Sequence, residues 1–316
     1  MATTVSGTLV GKIAGINSRQ PDGRPGASTT IQIRNMGTPL YVIDGSIKDE
    51  GQFNNLDMND IEQISILKDA SAAIYGVRAA NGVVVVTTKH GKLNETPSVE
   101  VNGYYGWQHI SRFAKPADVK TYIGAYIQSQ TIQGTNYSYS KDHYEKWCQG
   151  TEKGYRPFDW YKYVWITSPQ TYFNVNASGG SEKTNYYFSV GHLNQEAMIR
   201  TSGGFYRTNV QMRSDSQINS KLKVGASMNG RIETRKNPGV PGSDDYWLPM
   251  FATYRNLPTK RPYANDNPLY PTQVSSEADT NFAFLNYNLS GCYTDKWRVV
   301  QLNGLADYEF FKGLKA

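Results

Sequence analysis

The sequence predicts a mainly β protein. A small α/β domain occupies residues 1–92, and about six strands of an antiparallel sheet follow over 93–316, patterned as a partial transmembrane β-barrel. Three observations predict this. The segment 67–92, LKDASAAIYGVRAANGVVVVTTKHGK, joins a small-residue helical turn, a loop bent by Gly and Asn, and a β-branched strand. Six later runs alternate polar and apolar side chains with a period of two. Aromatics form 13% of the chain, with 23 Tyr, against 39% hydrophobic residues overall, a bias that suits strands meeting lipid on one side and water on the other.

The first domain reads in order. IQIR (31–34) and PLYVIDG (39–45) are short strands, and Asp44-Gly45 is a tight-turn pair because both central positions of such a turn need positive φ. Gly23 to Gly26, GRPG, reads as a turn only. In LDMNDIEQISILKD, Asn59 is expected to cap a short helix whose Asp60 and Glu62 suit a helix N-terminus, and Ile64 and Ile66 then alternate with Ser65 as a strand. Residues 70–75 are helix-compatible with Asp69 as cap. Gly76 and Asn81-Gly82 break the chain before VVVVTTK (83–89), whose four valines predict a strand buried on both faces. Neither GxxxxGK[ST] nor GxGxxG occurs, so a nucleotide loop is not expected.

Together GKIAGINSRQPDGRPG, IQIR, PLYVIDG and DIEQISILKDASAAIYGVRAANGVVVVTTK resemble, in order and spacing, the plug domain of SusC/RagA-type TonB-linked outer-membrane proteins. The block 67–89 is the most specific part. The family pattern has Gly after the arginine of IQIR where this chain has Asn35, and 35–38 is shortened; Asn is the Cβ-bearing residue best suited to left-handed backbone. The resemblance assigns Asp44, Gly45, Asp69, Tyr75, Gly76, Arg78, Asn81 and Gly82 to the plug signature, with roles in folding, gating and plug-to-wall contact. Arg78 is expected to pair with an acidic lumen residue, Glu100 or Glu233.

The six alternating runs follow. Val99, Val101, Tyr105 and Trp107 oppose Glu100, Asn102, Tyr104 and Gln108. Phe173, Val175 and Ala177 oppose Asn174, Asn176 and Ser178, and Tyr186, Phe188 and Val190 oppose Tyr187 and Ser189. Tyr206, Val210 and Met212 oppose Arg207, Asn209, Gln211 and Arg213. Leu222, Val224, Ala226, Met228 and Ile232 oppose Lys223, Ser227, Asn229, Arg231 and Glu233. Val300, Leu302, Ala306, Tyr308 and Phe310 oppose Gln301, Asn303, Asp307 and Glu309. Faces so unlike require two environments, and several runs exceed the ~5–6 residues of soluble strands.

Connections alternate between short polar turns (179–183 and 215–220) and long links (110–170, 193–204 and 235–296), which matches short periplasmic turns and long outer loops. In the first long link Val119, Tyr122, Ile123, Tyr126 and Ile127 form an amphipathic stripe after Pro116, which is expected in the first turn. The long links also carry Trp147, Trp160, Tyr161, Tyr163, Trp165, Asp244, Asp245, Tyr246 and Trp247. Of these Trp147, Trp160, Tyr246, Trp247, Asp244 and Asp245 are the candidate ligand contacts, because rings stack on the apolar face of a sugar while carboxylates bond its hydroxyls.

The net charge of +6 is scattered, with no run of five basic residues, so nucleic-acid binding is not expected. Cys148 and Cys292 are distant from one another, His90, His109, His143 and His192 have no ligand spacing, and neither a metal nor a cofactor is expected. No apolar run reaches 18 residues, so no membrane helix is expected, and the first residues lack signal-peptide character. A truncated N-terminus and an incomplete wall are therefore expected. Six strands leave an open edge that lipid cannot satisfy, so the isolated chain is expected neither to insert stably nor to transport. The resemblance implies an outer-membrane importer of oligosaccharide or peptide. TonB would act through an absent N-terminal region, a SusD-like lipoprotein would cap the mouth, and the wall of about 22 strands would face outer-membrane lipid. The alternative is a soluble or surface glycan-binding β-protein without transport. Catalysis is not expected, since the carboxylate pairs Asp244/Asp245 and Asp307/Glu309 are not opposed across a bond.

Overall fold

The computed structural model describes residues 3–20, 23–34, 36–111, 114–135, 139–200, 203–238, 253–272, 288, 291–311 and 314–315. The chain opens with helix α1 (Val5–Leu9), capped by Thr4, and a two-stranded ribbon of β1 (Ile16–Arg19) and β2 (Thr30–Ile33). Strands β3 (Leu40–Ile43) and β4 (Ser46–Lys48) form a hairpin whose turn residues Asp44 and Gly45 adopt φ of 47° and 79°, as the sequence requires. Helix α2 (Glu50–Asn54) begins with a reciprocal capping box between Asp49 and Gln52. A short 3-10 turn at Met58–Asp60 leads into β5 (Ile61–Leu67). Its cap is Asp57, whose carboxylate accepts from Asn59 N at 3.0 Å, not Asn59 itself. A second 3-10 segment, Asp69–Tyr75, contains Asp69 inside it, with Lys68 in the capping position instead. Strand β6 (Val83–Thr88) then enters the middle of a four-stranded sheet ordered β4-β3-β6-β5, parallel to β3.

The valine run behaves as its composition predicts. Val84 and Val86 face Val5, Ile31, Ile33, Tyr41 and Phe53, while Val83 faces Val42, Ala72 and Ala79. Each such side chain contributes roughly 1.5–3 kcal/mol by leaving water. Helix α1 has no sequence signal, because five residues carry no readable helical period.

The second sheet runs in chain order through β7 (Ser98–Gln108), β8 (Ser168–Gly180), β9 (Thr184–Glu196), β10 (Gly204–Gln217), β11 (Leu222–Pro238) and β12 (Cys292–Phe311), all antiparallel, with the two-residue β13 (Leu314–Lys315) on the edge. It does not close. Helices α3 (Val119–Gln133), α4 (Lys141–Gln149) and α5 (Trp160–Val164) lie between β7 and β8. The cap of α3 is Asp118, not a turn opened by Pro116; its carboxylate accepts from Thr121 N at 2.8 Å. The strands outrun the sequence estimate, so the second long link shrinks to 197–203 and the third to 239–291. Turns 181–183 and 218–221 join strands at one end of the sheet, and the strand ends Gln108, Ser168, Glu196, Gly204, Pro238 and Cys292 lie at the other.

Register fixes the sidedness of this sheet. One cross-strand row aligns Val101, Val175, Val190, Val210, Gly230 and Val300; the next aligns Val99, Ala177, Phe188, Met212, Met228 and Leu302. These rows face away from the first domain, and Val300 and Leu302 are 68% and 74% exposed. The intervening residues face it: Asn174, Asn176, Ser189, Arg207, Gln211 and Asp215 are buried. On β12 the outward apolar series runs from Val300 to Phe310. Ten steps of about 3.3 Å cover roughly 33 Å of strand, or about 23 Å of membrane normal at a ~45° tilt. That equals the apolar band of an outer-membrane wall. Outward Tyr105 and Trp107 stand near one end of the sheet, and outward Tyr186, Tyr308 and Phe310 near the other, the arrangement of interfacial aromatic girdles.

Candidate functional site at the plug and wall interface

The first domain meets the second sheet through a polar interface. Its centre is the 3-10 turn of Met58–Asp60, because the cap residue Asp57 and the turn residue Asp60 both reach the wall. Tyr172 on β8 donates its hydroxyl to Asp57, and Asn59 Nδ2 donates to the same Tyr172 oxygen at 2.6 Å. Tyr187 on β9 donates to Asp60 Oδ1 at 3.0 Å. Ser189, itself an acceptor from Asn174 Nδ2 at 3.0 Å, stands beside Asp60. Burial, reinforced by the neighbouring charge of Asp57, pushes the Asp60 carboxyl up to about 6. Wall residue Gly191 makes the approach possible, since a Cβ there would collide with the Asp57 carboxylate.

Further contacts line up along β10. Arg207, buried, donates to Asn55 Oδ1 at 3.3 Å, and Asn209 Nδ2 donates to the Asn55 carbonyl at 2.8 Å. Gln211 Nε2 donates to Thr88 Oγ1 at 2.9 Å. Thr88 in turn gives its N–H and hydroxyl to the two carboxylate oxygens of Asp44, at 2.9 and 2.7 Å. Asp44 thus serves the turn and ties β6, through Thr88, to the wall. At the rim Lys89 pairs with Glu100 at 3.5 Å. Gly26 of GRPG is more than a turn residue. Its N–H donates to Gln195 Oε1 at 2.9 Å, and a Cβ on it would strike the Phe205 ring.

From β11, Arg231 donates to the Gly51 carbonyl at 3.5 Å and Arg235 to the Gly26 carbonyl at 3.4 Å. A cavity of about 210 Å³ with a mixed lining separates the first domain from β11 and β12, bordered by Asp44, Lys48, Leu56, Arg213, Asp215 and Leu305. A smaller one of about 50 Å³ lies beside Asn55, Asp60, Asn229 and Gln301.

Of the signature residues, Asp44 and Gly45 sit in the β3–β4 turn. Gly76 (φ 71°) and Gly82 (φ 89°) bend the loop before β6, and a Cβ at Gly82 would meet Ile33. Asn81 Nδ2 donates to the Thr38 carbonyl at 3.2 Å, bracing that loop. Tyr75 packs on the Val42, Ala72, Ala79 and Val83 cluster. Arg78 is exposed and does not make the expected ion pair: Lys89 takes Glu100, and Arg231 takes Glu233 at 3.6 Å. The reason is position, since Lys89 directly follows β6 and passes β7, whereas Arg78 lies in the exposed 3-10 turn Val77–Ala79.

Trp147 and Trp160 are not presented as open ligand platforms. Trp147 packs with Val119 and Ile123 between α3 and α4. Trp160, 4% exposed, packs with Val164 and Ile199, and its Nε1 donates to the carbonyls of Leu257 and Lys260, both at 3.1 Å. Links this long bury aromatic cores of their own. A cavity of about 390 Å³ beside Trp160 is bordered by Lys115, Pro116, Phe158, Tyr161, Asn256 and Pro258. Asp244, Asp245, Tyr246 and Trp247 lie outside the described residues. Cys148 and Cys292 are free thiols. Sequence reasoning missed Asp57, Asp60, Tyr172 and Tyr187 as a unit. The available signal was two tyrosines on the polar side of their strands.

Comparison with known proteins agrees with this geometry. Residues 1–83 match the TonB-dependent Receptor Plug Domain family. The chain is 31% identical to TonB-dependent receptor P26 of Formosa agariphila, over 93% of this chain and 31% of that protein. It is 28% identical to TonB-dependent receptor SusC of Bacteroides thetaiotaomicron, over 87% of this chain and 29% of that protein. The RagAB peptide importer in its closed-closed state superposes with a TM-score of 0.77 at 26% identity, covering 99% of this chain and 38% of that one. The chain spans about a third of the length of the curated relatives it matches. It belongs to the SusC/RagA-type TonB-dependent receptors, with a plug domain followed by part of a barrel wall.

Proposed function

We propose that this segment supplies the plug and the first arc of the wall of an outer-membrane importer that takes up oligosaccharides or peptides. The observation that carries the reading is the sidedness of the second sheet: polar and charged residues are buried against the plug while valine, leucine and aromatic rows stay uncovered. Such a sheet is stable only with hydrocarbon outside and a wet, plugged interior. A soluble glycan-binding sheet would need those outward rows to be polar or covered. Import through a plugged barrel requires the plug to move, and a hydrogen-bonded, water-compatible interface can reform after each cycle where a dry apolar one would resist parting. TonB is the proposed source of the pull, and a SusD-like lipoprotein the proposed partner at the loop end. The peptide cargo of RagAB supports peptide as a cargo class to test, and the SusC/RagA-type resemblance of the plug signature adds oligosaccharide.

The experiment uses the complete protein that carries this segment. Lys89→Cys with Glu100→Cys, bridged by a short cleavable dithiol-reactive linker, fastens the plug to β7. Uptake of labelled oligosaccharides and of labelled oligopeptides by cells should fall to background for whichever class is cargo, and return on cleavage. Undiminished uptake of both classes through the bridged protein would overturn the reading. Recovery of a lipoprotein with the tagged transporter tests the partner.

A further inference from the structure

The outward face of the wall changes chemistry at one level. Moving toward the long links, β10 presents Met212, Val210, Thr208 and Tyr206, and β11 presents Met228, Gly230, Ile232, Thr234 and Lys236. Beside them β12 presents Leu302, Val300, Arg298 and Lys296, with Arg298 opposite Ile232, Lys296 opposite Thr234 and Lys236 opposite Thr294. The apolar band therefore ends at Val210, Ile232 and Val300. Arg298 stands level with Ile232 at the edge of the band, and Lys296 and Lys236 stand one and two rows beyond it on the same two adjacent strands, all exposed. Each step is about 7 Å along the strand.

The neighbouring carboxylates are turned away or engaged. Glu233 points to the plug side with Arg231, and Asp295 shares the inward row with Arg235 and accepts from Trp297 Nε1 at 3.0 Å. Glu196 accepts from Tyr206 Oη at 3.1 Å. The Lys236 ammonium lies 5.7 Å from the centre of the Tyr206 ring, which holds its stem at the boundary. A cluster of outward cations continuous with a hydrocarbon-facing surface sits at headgroup depth, where basic side chains favour anionic lipid by roughly fivefold each.

We infer that Lys236, Lys296 and Arg298 form a binding rim for phosphorylated lipid headgroups in the leaflet on the long-link side. This rests on the reading of the sheet as a membrane wall. The test uses the complete protein in detergent, challenged with a bisphosphorylated glycolipid and with its dephosphorylated form. Bound lipid is read by mass spectrometry and thermal shift. The wild type should prefer the phosphorylated form. The triple variant Lys236→Gln, Lys296→Gln, Arg298→Gln should lose on the order of tenfold or more of that preference. The charge-keeping variant Lys236→Arg, Lys296→Arg, Arg298→Lys should retain it. Equal preference in the glutamine triple overturns the inference, as does indifference of the wild type to phosphate. Loss of binding to a soluble polyanion without change toward lipid also overturns it and gives the rim to a soluble acidic partner. A wild type that enters neither micelles nor bilayers defeats the wall reading itself, whereas one that enters them and ignores phosphate defeats only the rim.

Discussion

The plug and the wall obey opposite rules of burial within one chain. In the plug, Val5, Ile31, Val84, Val86 and Phe53 are inside. In the wall, Asn174, Ser189 and Gln211 are inside while Val101, Val300 and Leu302 are outside. The plug is therefore built for water on all sides, and the wall for hydrocarbon on one side and a polar lumen on the other. Their interface is polar because it is the inside of the wall and the outside of the plug at once. Two surfaces that each prefer water are joined by hydrogen bonds, and such a junction can part without exposing a dry core.

The comparison breaks most readily at its two cores. Val84→Asp places an unpaired charge where both neighbouring strands are apolar, and should destabilise the plug by on the order of 4 kcal/mol or more. Limited proteolysis should then cut residues of the plug while the wall stays intact. A wild-type digestion pattern would deny that the plug has a core of its own. On the wall, Met212→Arg, one row inside the edge of the apolar band, should cost about 1–2 kcal/mol of folding in lipid vesicles, between the midplane and interface penalties. Changing its inward neighbour to Gln211→Arg should cost nothing through lipid, acting only at the Thr88 contact. If the two substitutions trade effects, the assignment of faces is reversed.

The next prediction concerns the junction. Tyr187→Phe leaves Asp60 without its phenol donor, and Tyr172→Phe does the same to Asp57. A hydrogen bond to a charged group contributes about 1.5–3 kcal/mol, so each change should ease plug release by that order. The readout is the denaturant concentration at which the plug becomes protease-sensitive while the wall remains folded. Phe173→Ala, on the same strand as Tyr172 but facing outward, is the control that should leave this midpoint unmoved.

Much of this was legible in the sequence and some was not, for physical reasons. The wall alternation is read directly because a strand's side chains repeat every two residues and the two environments differ. The Asp44-Gly45 turn and the valine strand are equally local signals. Asp57 and Asp60 were not legible as a latch because their partners, Tyr172 and Tyr187, are more than a hundred residues away and meet them only on docking. The plug-signature resemblance and its charge point Arg78 at an acidic wall residue, yet the chain path brings Lys89 to Glu100 instead. Trp147 and Trp160 carried the composition of a ligand platform, but links long enough to hold α3, α4 and α5 make cores of their own.

The smallest predicted effect probes the same latch by pH. Asp60 faces Asp57 on its own turn, Tyr187 and Ser189 from β9, and Lys89 from the end of β6; Arg207 and Tyr172 stand next to Asp57. Burial and the Asp57 charge raise the Asp60 carboxyl from the ordinary 3.8 to about 6 in the docked state. A raised carboxyl pKa means that the docked plug binds the proton more tightly than the released one. Its contribution to docking is then fully present below about pH 4 and is lost as pH rises through about 6. Lowering the pH from 7 to 5 should therefore tighten the plug by about 1 kcal/mol, seen as a higher denaturant midpoint for plug release. Asp60→Asn keeps an acceptor for Tyr187 but cannot titrate, and should flatten the dependence over that interval. Tightening on acidification that persists unchanged in Asp60→Asn would place the responsible proton on another group and leave Asp60 as a structural acceptor only.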